Sequence, residues 1–365
     1  MKRRFPDHLS AVEARYEAQK LAFGPLMFQA ARVLRESGSL AFLRERGMDG
    51  TNAEELSDAV GLRVHAARVL LEAGHAGGLL HLEGERYILT RVGYLVLRDP
   101  MTEVNMNFVH HVCYQPMFHL QDSIEKGEPV GLREHGEWKT VFEGLAELPE
   151  PVRRSWFAFD HYYSDGVFDR CLPVVFATKP KRLLDVGGNT GKFALACCAH
   201  DPNVQVTIVD LPGQLAVALE AARDSNLSSR IAGQFVDLLD PGAPLPAGYD
   251  AIWMSQFLDC FGEDEIVSIL SRTAAAMDEG SRLFILETFL DRQDHAAAHL
   301  SLVNTSLYFT AVANGKSKMY RSERMEACLA EAGLVIEEDL GEIGFHTLLR
   351  CRVSSQRNQE TELLR

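Results

Sequence analysis

The chain has 365 residues, 46% apolar and 24% charged, which excludes wholesale disorder, a collagen-like repeat and a coiled-coil rod and leaves room for about two domains of roughly 100–200 residues. Lys and Arg number 37 against 51 Asp and Glu, for a formal net charge of −14; such a surface repels phosphate backbones and disfavours general nucleic-acid binding. No apolar run nears the roughly 20 residues of a membrane-spanning helix, so no membrane partner is expected.

The N-terminal Met-Lys-Arg-Arg-Phe-Pro-Asp-His is basic, but no apolar stretch follows it, and no signal peptide is expected. Seven cysteines (Cys113, Cys171, Cys197, Cys198, Cys260, Cys328, Cys351) are scattered without a C-x-x-C pair. Free thiols in a reducing cytoplasm are expected, rather than a disulfide framework or a zinc site.

Residues from about 8 to 165 carry a mostly helical pattern. Thr51 followed by Glu54 has the spacing of a capping box opening a helix, and apolar residues recur at helical spacing through Val60, Leu62, Ala67, Leu70 and Leu71. Residues 77–90 suit a hairpin with Gly84 near its tip. Helix, turn, helix and hairpin make a winged-helix pattern. The second helix carries Arg63, His65 and Arg68, but Glu54, Glu55, Asp58 and Glu72 flank it; packing or dimerisation fits this module better than DNA binding. From Glu103 to Asp165 aromatics and histidines accumulate, among them His110, His111, Trp156, His161, Tyr162 and Tyr163. They suit either interhelical packing or one wall of an aromatic pocket.

The most informative stretch is Leu183 to Leu195. A short apolar strand (Leu183, Leu184, Val186) runs into a glycine turn (Gly187, Gly188, Gly191), and a helix follows. A second strand ends in Asp210, 19 residues after Gly191, the spacing of a βαβ unit whose carboxylate grips ribose hydroxyls. Asp185 sits two residues before the first glycine. A pyrophosphate there would meet a like charge. S-adenosylmethionine has no phosphate and carries an ammonium and a sulfonium, so a carboxylate favours it over NAD. Further strands follow: one ending near Asp237, then 249–256, 281–288, 334–338 and 345–353. This is a doubly wound α/β sheet with ligands at the carboxyl ends of its strands.

The motifs Leu184-Asp-Val-Gly-Gly-Asn-Thr-Gly191, Val209-Asp-Leu-Pro212, Val236-Asp237, Phe257-Leu-Asp-Cys-Phe-Gly-Glu-Asp264 and Leu286-Glu287-Thr make the chain resemble the winged-helix-containing class I S-adenosylmethionine-dependent O-methyltransferases. The narrower resemblance is to the caffeate/acetylserotonin type, including its bacterial tailoring branch, over roughly residues 15–353. It implies a Rossmann-like catalytic domain (166–353), a helical winged-helix dimerisation and pocket-lining domain (1–165) and a flexible tail (354–365). It also implies a homodimer and no metal. Gly187, Gly188 and Gly191 would surround the methionine part of S-adenosyl-L-methionine, Asp210 the ribose, and Asp237 with Leu238 the adenine; Asp185, Leu211 and Ser255 join this cofactor-binding set. Trp156, His161, Tyr162, Tyr163, Asn304 and Tyr308 would face a flat aromatic or polyene-like acceptor.

Two departures bear on the chemistry. The resemblance implies a catalytic histidine flanked by two glutamates; here Asp259 stands in its place, Glu287 fits one glutamate, and the other position falls near Met319. A phenol near pKa 10 lies ~3.5 units above a free histidine, about 5 kcal/mol, but ~6 units above a free aspartate, about 8 kcal/mol. Three routes are open. Asp259 is a desolvated base beside Glu287; or Asp259 orients a hydroxyl while His161 takes the proton; or the nucleophile needs little base, as an activated aromatic carbon does, giving C-methylation. A relative that binds the cofactor without transferring methyl, and a winged-helix regulator with a ligand-binding domain, are the competing readings.

Overall fold

The computed structural model describes residues 8–355, so residues 356–365 of the expected tail lie outside it. The chain divides into two compact units, Met1–Asn107 and Phe108–Arg365. Residues 108–165, grouped with the N-terminal part in the sequence reading, pack in the unit that carries the sheet. No helix among the described residues is long and apolar enough to cross a membrane.

In the first unit, helix Ala11–Ala22 opens with a reciprocal cap: the Ser10 hydroxyl accepts from the Glu13 N–H and the Glu13 carboxylate accepts from the Ser10 N–H. Helices Ala53–Val60 and Val64–Ala76 follow, joined at Gly61 in the left-handed region. The antiparallel hairpin of β1 (Leu80–Glu83) and β2 (Arg86–Leu89) comes next. One local expectation is corrected. The cap of helix Ala53–Val60 is Asn52, whose side chain accepts from the Glu55 N–H at 2.9 Å. Thr51 is instead held in a backbone bridge to Tyr87, which withdraws it from the capping position by one residue. Leu34, Leu40, Leu43, Leu56 and Leu71 are fully buried as the core of this unit.

Among the described residues the second unit holds seven strands: β3 (Arg182–Val186), β4 (Gln205–Asp210), β5 (Ile231–Phe235), β6 (Ala251–Ser255), β7 (Arg282–Glu287), β8 (Leu334–Ile343) and β9 (His346–Val353). Their order is β5-β4-β3-β6-β7-β9-β8. The first five run parallel, and β9 lies antiparallel between β7 and β8. Leu183 packs into the core on one face of the sheet and Leu184 and Val186 into the core on the other; the two-residue period of a strand buried on both faces requires apolar residues on each. The chain passes from β3 to β4 on one side and later to β6 on the other. The crevice at this switch, above the carboxyl ends, is where a doubly wound sheet takes ligands.

Candidate active site

Five consecutive residues after β3 explain the glycines. Gly187 has φ +75° and Asn189 φ +48°, and Gly191 has φ +78° as it opens helix Lys192–His200. The Gly187 N–H donates to the Val209 carbonyl at 2.8 Å, which ties the turn to β4. A Cβ on Gly187 would lie 2.2 Å from the Phe257 ring, and one on Gly188 would lie 2.8 Å from Asp185 Oδ2. The absent side chains therefore make room for an aromatic ring and a carboxylate.

That carboxylate is only 2% exposed, and its Oδ2 has no hydrogen-bond partner. Burial, and then the nearby charge of Asp210, push Asp185 up to about 8. At the end of β4, Asp210 accepts from the Asn189 N–H at 2.8 Å and from the Leu211 N–H at 2.7 Å. Burial raises it to about 6 against these two bonds. Both acids line a cavity of about 980 Å³ together with Gly187, Gly188, Leu211, Asp237, Leu238 and Ser255. Gly191 opens the helix beside it. Asp237 is exposed and accepts from the Leu239 N–H; the Ser255 Oγ is buried without a partner.

The short turn Leu258–Cys260 follows β6. Asp259 in it is 8% exposed and is pushed up to about 7 by burial, against the Cys260 thiol, which donates to its Oδ1 at 3.5 Å. Glu287, at the end of β7, is 1% exposed. Its Oε1 accepts from the N–H groups of Phe257 at 3.0 Å and Leu258 at 2.8 Å. Burial and the charge of Asp259 hold it well above the usual carboxylate range. Glu287 thus fixes the backbone of the turn. Cys260 is among the residues lining the cavity; Asp259 and Glu287 stand behind that wall.

Helix Glu150–Ser164 supplies the opposite wall. Trp156, Asp160, His161 and Ser164 line the cavity, as residues four apart on one helical face do. The Trp156 indole donates to the Tyr308 hydroxyl at 2.7 Å, and Tyr308 is buried behind it. His161 Nδ1 lies 3.3 Å from Asp165 and 3.8 Å from Asp160. Four of the expected acceptor-facing residues do not line the cavity: Tyr308 stands behind Trp156, and Tyr162, Tyr163 and Asn304 lie elsewhere. Tyr162 falls on the helix's other face, and Tyr163, one helical turn beyond Asp160, packs edge-on against Phe345 instead. Asn304 is exposed and bonds to the Leu300 carbonyl of its own helix. Sequence reasoning missed Asp160, Asn189, Gln256 and Cys260, all of which face the cavity. For Asp160 a signal existed: it follows Trp156 by one helical turn.

A family model described as an O-methyltransferase domain matches residues 168–334, and one described as a Dimerisation2-like domain matches residues 15–87. The chain is 23% identical over 317 residues to an L-tyrosine C(3)-methyltransferase of Streptomyces lavendulae, covering 86% of this chain and 85% of the relative. It is 24% identical over 259 residues to a 3-hydroxy-5-methyl-1-naphthoate 3-O-methyltransferase of Streptomyces sahachiroi, covering 70% and 73%. Among solved structures it resembles the apo form of the S-adenosylmethionine-dependent methyltransferase SibL, with a TM-score of 0.67, 25% identity, and 93% of this chain and 99% of that one covered.

Proposed function

We propose that this chain, which belongs to the S-adenosylmethionine-dependent O-methyltransferase family, methylates an oxygen of a small aromatic acceptor held against Trp156 and Cys260. One observation carries this reading. A buried carboxylate oxygen without a partner (Asp185 Oδ2), a glycine cradle that any Cβ would fill, and an aromatic wall share one cavity.

The residues present fit the donor. A positively charged ligand satisfies Asp185, whose lone oxygen is otherwise desolvated at a cost of a few kcal/mol. In this reading Gly187, Gly188 and Gly191 admit the methionine part, Asp210 with the adjoining Leu211 holds the ribose, and Asp237, Leu238 and Ser255 border the adenine. Bound there, S-adenosylmethionine supplies a methyl group on a positively charged sulfur. The chain's own task is to align the acceptor oxygen and take its proton. His161, which lines the cavity, takes that proton, and Glu287 holds the N–H groups of Phe257 and Leu258 and so fixes the turn that presents Cys260 to the acceptor. His161 and Trp156 border the acceptor.

Incubation with S-adenosylmethionine and a panel of hydroxylated aromatic acids and naphthols, with mass detection, is expected to yield S-adenosylhomocysteine and an O-methylated product. A base must be deprotonated to act, so turnover should rise with pH, and His161→Gln should flatten that rise and lower turnover by roughly 10²–10⁴-fold. Methyl on carbon in every product would instead favour C-methylation, a reading supported by the tyrosine C(3)-methyltransferase likeness. No transfer, with the donor nevertheless bound, would favour a non-catalytic relative.

Residues 1–107 serve as the pairing domain of a cytoplasmic homodimer in this reading. The Dimerisation2-like match supports it, as do Val12, Tyr16, Leu21, Phe23 and Leu26, all more than half exposed, more apolar surface in one stretch than a monomer ordinarily leaves in water. Sedimentation should give twice the 40.6 kDa chain mass, and Leu21→Glu with Leu26→Glu should shift it toward monomer; a monomeric wild type would sink this part.

A further inference from the structure

Asp160 projects from helix Glu150–Ser164 into the same cavity, with its side chain 26% exposed. Its Oδ2 accepts from the Asn189 side-chain amide at 3.0 Å, which links the helix to the glycine turn. On its own helix it faces His161, 3.8 Å away, and beyond that Asp165, which is paired with both His161 and Lys192. From β4 it faces Asp210, and from the turn after β6 it faces Asp259 and Cys260. Tyr308 lies within reach of its charge as well. Asp160 therefore stands between the strand-end acid of the nucleoside side and the turn of the acceptor side.

Among the described residues the basic groups nearest the Asp160 carboxylate are the His161 ring at 3.8 Å and, farther off, the Lys192 ammonium, whose charge is already engaged by Asp165. Asp185, buried and with an oxygen lacking any partner, faces the cavity from β3. Three carboxylates converging without a contacting cation repel one another. Folding alone does not favour that arrangement; a cationic ligand does. Asp185 lies at the glycine turn and Asp210 at the end of β4. The charge of Asp160 acts both on Asp210 and on the Asp259–Cys260 turn, which makes it the acid shared by the donor and acceptor sides, between which the methyl group must pass.

We propose that Asp160 is a third carboxylate of the donor site and that it reads the positive charge on sulfur, so that the site distinguishes S-adenosylmethionine from its neutral-sulfur product. This deepens the methyltransferase reading and rests on it. The consequence is directional. Asp160 attracts the donor while the sulfur is charged and loses that attraction once the methyl has left, which favours product release.

Calorimetry on the full chain tests this. Asp160→Asn keeps the acceptor for the Asn189 amide and removes the charge. It should lower affinity for S-adenosylmethionine at least tenfold and for S-adenosylhomocysteine less than threefold. A measurement without any variant stands beside it. Burial holds Asp160 at about 6, so at pH 6 the charged donor draws a proton off. Titrations in buffers of different ionisation enthalpy should then show greater proton release with S-adenosylmethionine than with S-adenosylhomocysteine, and Asp160→Asn should erase the difference. Equal loss of both ligands, or equal proton release, overturns the role of Asp160 and leaves the site reading intact. Failure of the wild-type chain to bind S-adenosylmethionine at all sinks the site reading itself.

Discussion

Gly187→Ala is expected to lower affinity for S-adenosylmethionine by roughly 30- to 100-fold, about 2–3 kcal/mol, while leaving a folded protein. Two costs add. At φ +75° an L-residue is strained by about 1–2 kcal/mol. The new methyl would also sit 2.2 Å from the Phe257 ring, closer than any real contact, so the ring must move. Phe257 is not free to do so without consequence. Its ring packs edge-on against Phe261 with centroids 4.9 Å apart, and its N–H is bound by Glu287. The displacement therefore reaches the Leu258–Cys260 turn as well as the donor cradle, and turnover should fall with affinity. Gly213→Ala is the matched control: Gly213 has no positive φ, and its added Cβ would meet only Ala146 at 3.6 Å, an ordinary contact. Calorimetry and thermal melting of both variants decide the matter; a Gly187→Ala protein that binds donor like wild type would remove the turn from the donor site.

The donor half of this site was legible in the sequence because its chemistry is written locally. Leu183 to Gly191 is strand, carboxylate and glycine turn in consecutive residues, and Asp210 follows at a spacing that a βαβ unit fixes. The limits of β6, β7 and β9 were readable for the same reason, as short apolar runs with polar ends, but β5 is exposed after Ile231 and stops at Phe235, short of Asp237, and β8, at the sheet edge, runs on to Ile343 rather than stopping at 338. The acceptor half was less legible because its wall is assembled from distant segments. Asp160 reaches the glycine turn only because helix Glu150–Ser164 packs there; helical phase turns Tyr162 away, and a tertiary contact with Phe345 occupies Tyr163. In the Leu258–Cys260 turn, the residue matching the expected base position and the residue lining the cavity differ by one. Neither composition nor spacing encodes which of two neighbours in such a turn points inward. Glu287 was read as chemistry from its position, whereas its hydrogen bonds go to backbone N–H groups. The aspartate-for-histidine exchange is visible in sequence; the burial that brings Asp259 near neutrality is a tertiary property.

Asp185→Asn should make the protein more stable at pH 8 and cost it most of its donor affinity. Asparagine is nearly isosteric with aspartate and carries no charge into the sheet. In the wild type the folded-state value is about 8, raised by burial first and by Asp210 second, against about 3.9 in the unfolded chain. Between those two values the folded chain holds a proton that the unfolded chain has released. Stability therefore declines as pH climbs from about 4 to about 8. A raised carboxylate value is a penalty at high pH, the reverse of a salt-bridged acid, and removing the carboxylate removes the penalty. The full shift of ~4 units corresponds to about 5 kcal/mol as an upper bound, so a gain of about 2–5 kcal/mol is expected at pH 8 and close to none at pH 4. Donor binding moves the other way. Loss of the anion facing the cationic ligand should weaken S-adenosylmethionine about 100-fold, about 2.7 kcal/mol. Urea titrations at the two pH values, paired with calorimetry at pH 8, measure both arms. A variant less stable than wild type at pH 8 would mean that Asp185 is a structural acceptor, and undiminished donor affinity would mean that its lone oxygen faces no ligand. The gain and the loss together would show a site whose cost to the fold is the reason it binds a cation.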